Sequence, residues 1–183
     1  MTMAEARPFD NVKYIAGLIY SNDNILERAV FELEKILGTV DARSPMFHFN
    51  LTNYYAAEMG ANPLKRLFVS FRDLRSPEEL SAIKVRTNVL EEESRLALGV
   101  THRPVNIDPG YLTASALIMA TAKDFSHRIP LRDGIYAHLE LMFTKQGVRY
   151  LEWTYPDFRQ PDYHDFFLGV RKSYLCQLKE VKK

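Results

Sequence analysis

The stretch that most constrains this chain runs from Pro104 to Arg128, PVNIDPGYLTASALIMATAKDFSHR. Its middle is almost wholly apolar, and it closes on four ionisable side chains, Lys123, Asp124, His127 and Arg128. The pattern predicts a short strand over Val105–Ile107, a turn at Asp108-Pro109-Gly110, and a buried helix of about ten residues. A helix that is apolar on every side is threaded through a core, and the polar groups at its two ends are then held in fixed positions. Asp108 before the helix and the Lys123–Arg128 group after it are the expected anchors of a site.

Strands and helices alternate before this stretch. Tyr14-Ile-Ala-Gly-Leu-Ile-Tyr20 is a continuous apolar run of strand length, expected at the centre of a sheet covered on both faces. Ser21 to Asn24 offer helix caps, with Glu27 three residues after Asn24. Ile25, Val30, Leu33, Ile36 and Leu37 then draw a helical stripe that Gly38 ends. A second strand is expected around Pro45–Leu51 and a third at Arg66–Phe71, with Leu67, Val69 and Phe71 on one face. Ser76-Pro77-Glu78-Glu79 joins a capping serine, a proline at the first helical position and a glutamate at the third. The helix it opens runs to about Leu98, before Gly99. This βαββαβ order over the first ~110 residues is that of a ferredoxin-like unit.

Beyond the apolar stretch, Ile135, Ala137, Leu139, Leu141 and Phe143 alternate with Tyr136, His138, Glu140 and Met142. A turn at Lys145-Gln146-Gly147 leads to Val148–Trp153, which predicts an antiparallel hairpin. Gln160-Pro161-Asp162 opens a final helix carrying Tyr163, Phe166, Phe167, Val170, Tyr174 and Leu178. The expected class is α+β: a buried helix, a β-hairpin and a C-terminal helix packed on one mainly antiparallel sheet. Residues 1–12 read as a loose tail and 13–183 as a single α+β domain.

The charge balance, 24 basic against 23 acidic residues, argues against a surface built for nucleic acid or an anionic membrane. No apolar run approaches the ~20 residues of a membrane span, and the N-terminus has no signal-type apolar core, so a cytoplasmic protein is expected. The single cysteine, Cys176, rules out an internal disulfide, and its apolar neighbours predict an inert buried thiol. Neither GxGxxG, GxxxxGK, HExxH, GxSxG nor CxxC occurs, so dinucleotide, phosphate-loop, zincin, α/β-hydrolase and thioredoxin-like chemistries have no support.

The candidate site is therefore assembled from residue types. Arg128 can grip a phosphate or carboxylate bidentately with Lys123 beside it, and His127, with a reference pKa of ~6.5, is the acid/base candidate. Asp108 is the second catalytic candidate, placed for a cation or a ligand hydroxyl. Tyr55, Lys65 and Arg66 put an aromatic ring beside two cations, which suits a nucleotide or another planar anion. Lys84, Thr87, Asn88 and Glu91 share one helix face. That face reads as solvated, with Asn88 as its ligand candidate. His138 and Glu140 read as a polar strand face paired with Arg149 across the hairpin, so no metal set is assigned, and the cofactor is left unknown. The expected partner is a small phosphorylated or nucleotide-like anion, and whether the protein is an enzyme is left open. The competing reading is a protein-interaction or homodimerisation surface formed by Tyr155, Phe158, Tyr163 and Phe166.

Several phrases together resemble one prokaryotic family: Ala16-Gly-Leu-Ile-Tyr-Ser21, Glu58-Met-Gly60 with Pro63-Leu-Lys-Arg66, and Ile83-Lys84 with Thr87-Asn88. They continue with Val105-Asn-Ile-Asp-Pro-Gly-Tyr-Leu112, Ala120-Thr-Ala-Lys-Asp-Phe-Ser-His-Arg-Ile129, Gly134-Ile-Tyr-Ala137 and Trp153-Thr-Tyr-Pro-Asp157. The family is domain of unknown function 4416. The resemblance spans residues 10 to 180 or so and implies a stand-alone domain without a catalytic assignment. Its recurring polar residues fall on Lys65, Arg66, Asn88, Asp108, Lys123, His127 and Arg128.

Overall fold

The computed structural model describes residues 5–50, 55, 58–60 and 63–181. Leu51, the end of the second expected strand, lies outside the described residues, as do residues 1–4 of the expected tail. The elements are β1 (Val12–Tyr20), α1 (Asp23–Leu37), β2 (Val40–Arg43), β3 (Phe47–Phe49), β4 (Leu64–Arg75), α2 (Leu80–Leu98), β5 (Val105–Leu112), β6 (Ala116–Thr121), β7 (Ile129–Pro130), β8 (Tyr136–Thr144), β9 (Gly147–Tyr150) and α3 (Pro161–Val181). Short 3-10 turns at Pro77–Glu79 and Pro156–Arg159 precede α2 and α3. Among the described residues the strands form one sheet in the order β2-β4-β1-β5-β6-β8-β7, with β3 also on β4 and β9 also on β8. Every pairing is antiparallel.

Helices cover both faces. Tyr14, Ala16 and Leu18 of β1 and Leu67, Val69 and Phe71 of β4 pack under α1 and α2, against Leu26, Val30, Leu33, Ile83 and Leu90. The alternate residues Ile15 and Phe68, with Leu117 and Leu141, pack under α3 against Tyr163, Phe167 and Val170. β1 is thus buried along its whole length, as its apolar run requires. The caps act as expected of their residue types. Asn22 accepts from the Asn24 N–H, Ser76 accepts from the Glu78 N–H, and Gly38 and Gly99 close α1 and α2 at positive φ.

The buried helix expected after Asp108-Pro109-Gly110 does not form. These three residues lie inside β5, and Ala116–Thr121 is β6. The turn sits later, where Thr113 Oγ1 accepts from the N–H groups of Ser115 and Ala116 and the Thr113 N–H donates to the Ala116 carbonyl. β6 is covered on both faces, with Leu117 and Met119 towards α3 and Ile118 and Ala120 towards α2. A strand buried on both faces shows no alternation, so its apolar run mimics a core helix. Lys123, Asp124, His127 and Arg128 consequently lie in the β6–β7 loop, away from any helix end.

Other expectations shift as well. β2 forms on β4 without an apolar run of its own, and Cys176 is exposed on α3. Phe158 and Tyr163 are each only 3% exposed and sit in the α3-side core with Phe166 packed on them, so the aromatic surface expected there is largely interior. Among the described residues no helix is long and apolar enough to cross a membrane.

One irregularity positions the site. β5 pairs with β1 over all of Val105–Leu112, yet with β6 only across Gly110–Leu112. Gly110 permits the close approach, since a Cβ there would lie 2.5 Å from the Ile118 carbonyl oxygen. The next residue back, Pro109, has no N–H to give β6, and pairing stops. Below Pro109 the two strands part.

Candidate functional site

The parting of β5 and β6 opens a cavity of about 750 Å³. Ile107 shows how its inner edge is finished. The Ile107 N–H donates to Glu91 Oε1 at 2.6 Å, and its carbonyl accepts from Lys84 Nζ at 2.8 Å. Two side chains of α2 thus take the hydrogen-bonding places that β6 has left, which satisfies buried backbone groups without closing the gap. Burial pushes the Glu91 carboxyl above its ordinary range, against the pull of Lys84 and Arg103. The face of α2 bearing Lys84, Thr87 and Glu91 is therefore buried over β5 rather than solvated, and Asn88 beside it is half-buried at the cavity wall.

Asp108 is the hub. Its carboxylate accepts from Asn106 Nδ2 at 2.7 Å, lies 3.5 Å from Lys84 Nζ and 3.8 Å from Arg66 Nη2, and keeps 24% of its side chain exposed. Arg66 reaches the same point from β4. Its guanidinium carbon lies 4.9 Å from the ring centre of Phe68, 5.0 Å from Phe158 and 5.6 Å from Phe49, while Nη1 donates to Asp157 Oδ2 at 2.8 Å. Burial raises the Asp157 carboxyl and Arg66 only partly offsets it. Tyr55 lines the opposite wall, and its phenol is raised strongly by burial, with the Asp108 charge adding to the effect. Arg103 donates to Glu91 Oε2 at 3.0 Å and also contacts Glu58.

Of the residues singled out from the sequence, Tyr55, Arg66, Asn88, Asp108 and Lys123 meet at this cavity. Lys65 does not. Adjacent strand residues point to opposite faces, so Lys65 leaves the cavity to its neighbour Arg66 and pairs with Asp23 at 2.9 Å. His127 and Arg128 stand behind the wall. Arg128 donates to His138 Nδ1 at 3.2 Å, to the Lys123 carbonyl at 2.7 Å and to the Tyr155 hydroxyl at 2.6 Å, so it braces the loop instead of presenting an open fork. The His127 ring stacks on Trp153, 4.9 Å between centres, with Nε2 3.2 Å from His138 Nδ1. Loss of hydration, then His138 and Arg128, lower the His127 pKa from its ordinary value.

His138 and Glu140 are the residues that sequence reasoning misplaced. They are buried at the cavity floor, and Arg149 lies opposite Met142 instead. Their strand alternates as a half-solvated strand would, but the Trp153–Phe158 segment covers its polar face: the Tyr155 N–H donates to Glu140 Oε1 at 2.7 Å, and the Tyr155 ring stacks on His138 at 5.3 Å. Among the described residues no group of three or more His, Cys, Asp or Glu side chains is arranged to hold a metal ion. The lining carries Glu58, Glu91, Asp108, Glu140 and Asp157 against Arg66, Lys84, Arg103 and Lys123. Arg66, Lys84 and Arg103 each face carboxylates, the lining carries one more acid than base, and Lys123 is exposed where it lines the same cavity.

This is a mixed α and β protein whose mainly antiparallel sheet is split to hold a polar cavity. The chain belongs to the family described as Domain of unknown function (DUF4416), whose model matches residues 10–174. No curated protein and no solved structure matches it.

Proposed function

We propose that the cavity is the binding site of a small phosphorylated or nucleotide-like molecule in a cytoplasmic protein. The observation that carries this reading is the convergence of Asp108, Asn88 and Lys123, from β5, α2 and the β6–β7 loop, on one cavity of ligand size. The interior, whose buried cations are already held against carboxylates, suits the hydroxyl and amide groups of a ligand, with Asp108 accepting from a hydroxyl and Asn88, whose side chain has no hydrogen-bond partner among the described residues, free to donate or accept. The anionic group then sits at the mouth, on Lys123. Tyr55 and Tyr155 flank the space with ring surface for a planar or sugar moiety. The strand order β5-β1-β4-β2 with α1 and α2 on one face supports a ferredoxin-like reading of the first half, to which β6–β9 and α3 add the second wall of the cavity.

The test is a thermal-shift screen against nucleotides and sugar phosphates. A ligand at ~100 times its dissociation constant stabilises by ~2.7 kcal/mol, a shift of several degrees for a chain this size. The shift should vanish in Asn88→Ala/Lys123→Ala and persist in Lys65→Ala, whose side chain faces away. No shift with any phosphorylated compound, or an unchanged shift in the double variant, refutes the assignment.

A further inference from the structure

The floor of the cavity holds a donor and an acceptor that the protein itself leaves open. His138 Nε2 and Glu140 Oε2 lie 2.8 Å apart, yet they are out of line for a hydrogen bond, and neither has another partner among the described residues. Both side chains are buried, at 1% and 0% exposure, and both line the cavity. Buried polar groups are nearly always paired, and an exception calls for a water or a ligand.

Their neighbours set which of the two donates. Arg128 Nε can only donate and points at His138 Nδ1, so Nδ1 accepts and the proton of the neutral imidazole rests on Nε2. Glu140 Oε1 is taken by the Tyr155 N–H, which leaves Oε2 to accept. The backbone adds a second sign of purpose. Leu141 pairs with Leu117 and Leu139 with Ile118, so Glu140 is the extra residue of a bulge in β8. Bulges beside a site re-aim a side chain that a regular strand would direct elsewhere.

One N–H beside one carboxylate oxygen is met by a single group that both donates and accepts. A fully ionised phosphate or a carboxylate has no proton to donate to Glu140, and an ammonium cannot accept from His138. An alcohol does both. We propose that His138 and Glu140 form a hydroxyl-binding subsite, and that the molecule held in the cavity is a sugar-type phosphate with one alcohol seated between them. The phosphate half of this statement rests on the reading of the preceding subsection; the hydroxyl half rests on the floor alone. Arg128 is a positioning residue, acting through the tautomer of His138. A free sugar phosphate and the ribose of a nucleotide present the same chemistry.

Calorimetric titration with ribose 5-phosphate and AMP, each beside its analogue lacking the ring hydroxyls, separates these sources and tests the subsite. At least one parent should bind about tenfold or more tightly than its analogue, because a site built to bond a hydroxyl rejects the compound without it. Glu140→Gln should weaken the parent by a similar factor and leave the analogue unchanged. Should that variant fold poorly, the ¹⁵N spectrum of His138 in the native chain serves instead: the Nε2–H tautomer, with an Nε2 shift moved by the parent and not by the analogue. Equal binding of parent and analogue, or equal weakening of both by Glu140→Gln, overturns the subsite while leaving the phosphate site standing. Binding of free ribose that is sensitive to Glu140→Gln, with no gain from a phosphate, upholds the subsite and overturns the phosphate reading. Binding of none of these compounds overturns both.

Discussion

A Cβ on Gly17 would lie 2.8 Å from Arg66 Nη2 and 2.9 Å from the Phe68 ring, so the bare glycine in β1 is what admits the buried guanidinium. Gly17 stands opposite Phe68 on one side and Asp108 on the other, in the middle of the three strands β4, β1 and β5 that carry Arg66 and Asp108. Its backbone is ordinary extended strand, so the constraint is space alone. Gly17→Ala should destabilise by about 1–3 kcal/mol, the usual cost of overpacking, read from urea unfolding midpoints at constant m. An unchanged midpoint would mean that Arg66 and Phe68 yield without loss.

Arg66 and Asp157 depend on one another. Arg66→Leu strands a buried carboxylate and should cost about 3–5 kcal/mol, whereas Arg66→Leu/Asp157→Leu should cost clearly less than the two single changes summed. Denaturant unfolding of the four proteins gives the coupling. Simple additivity would show that the aromatic rings around the guanidinium, and not the ion pair, hold it in place.

The Ile107 amide offers a local readout. Among the described residues its acceptor is a side chain, Glu91, and not a neighbouring strand. In Glu91→Ala this N–H should exchange with solvent faster while amides of β1 keep their protection, and stability should fall by about 1–3 kcal/mol for the unsatisfied group. Unaltered exchange at Ile107 would show that another acceptor replaces the carboxylate.

Alkaline stability follows from Tyr163. Burial, opposed by Arg66 and assisted by Asp157, pushes its phenol up to about 12. An unfolded tyrosine ionises near ~10, so between about pH 10 and 12 the unfolded chain releases a proton that the folded chain retains. Stability should therefore fall as pH rises through this window. Tyr163→Phe keeps the ring against Phe47 and Phe68 and removes this contribution, so its loss of stability from about pH 9 to about pH 11 should be shallower. Parallel slopes for the two proteins would contradict the shift.

Much of the first half was legible because local signals and tertiary demand agree. The apolar run of β1 is buried on both faces, and Gly38, Ser76-Pro77 and Gly99 end or open helices where their backbone preferences direct. β6 was misread because the same burial on both faces erases the alternation that marks a strand, while Pro109-Gly110 imitates a turn. Only the short hydroxyl residues Thr113 and Ser115, which make the real turn, pointed elsewhere. Lys65 could have been separated from Arg66 by strand alternation alone. His138 and Glu140 could not have been recognised, since their burial depends on a bulge and on a covering segment that follows them by more than ten residues in sequence.

Pro109 works as the end stop of a zipper. Because the proline nitrogen is bonded to its own ring carbon in place of a hydrogen, no thermal fluctuation supplies the bond that would draw β6 down along β5 and squeeze the cavity shut. The vestibule is already open before anything enters, and an incoming molecule spends none of its interaction energy prying strands apart. For the ligand proposed above, association should consequently be quick and largely free of slow rearrangement, with selectivity resting on fit to a preformed space and not on closure around the guest.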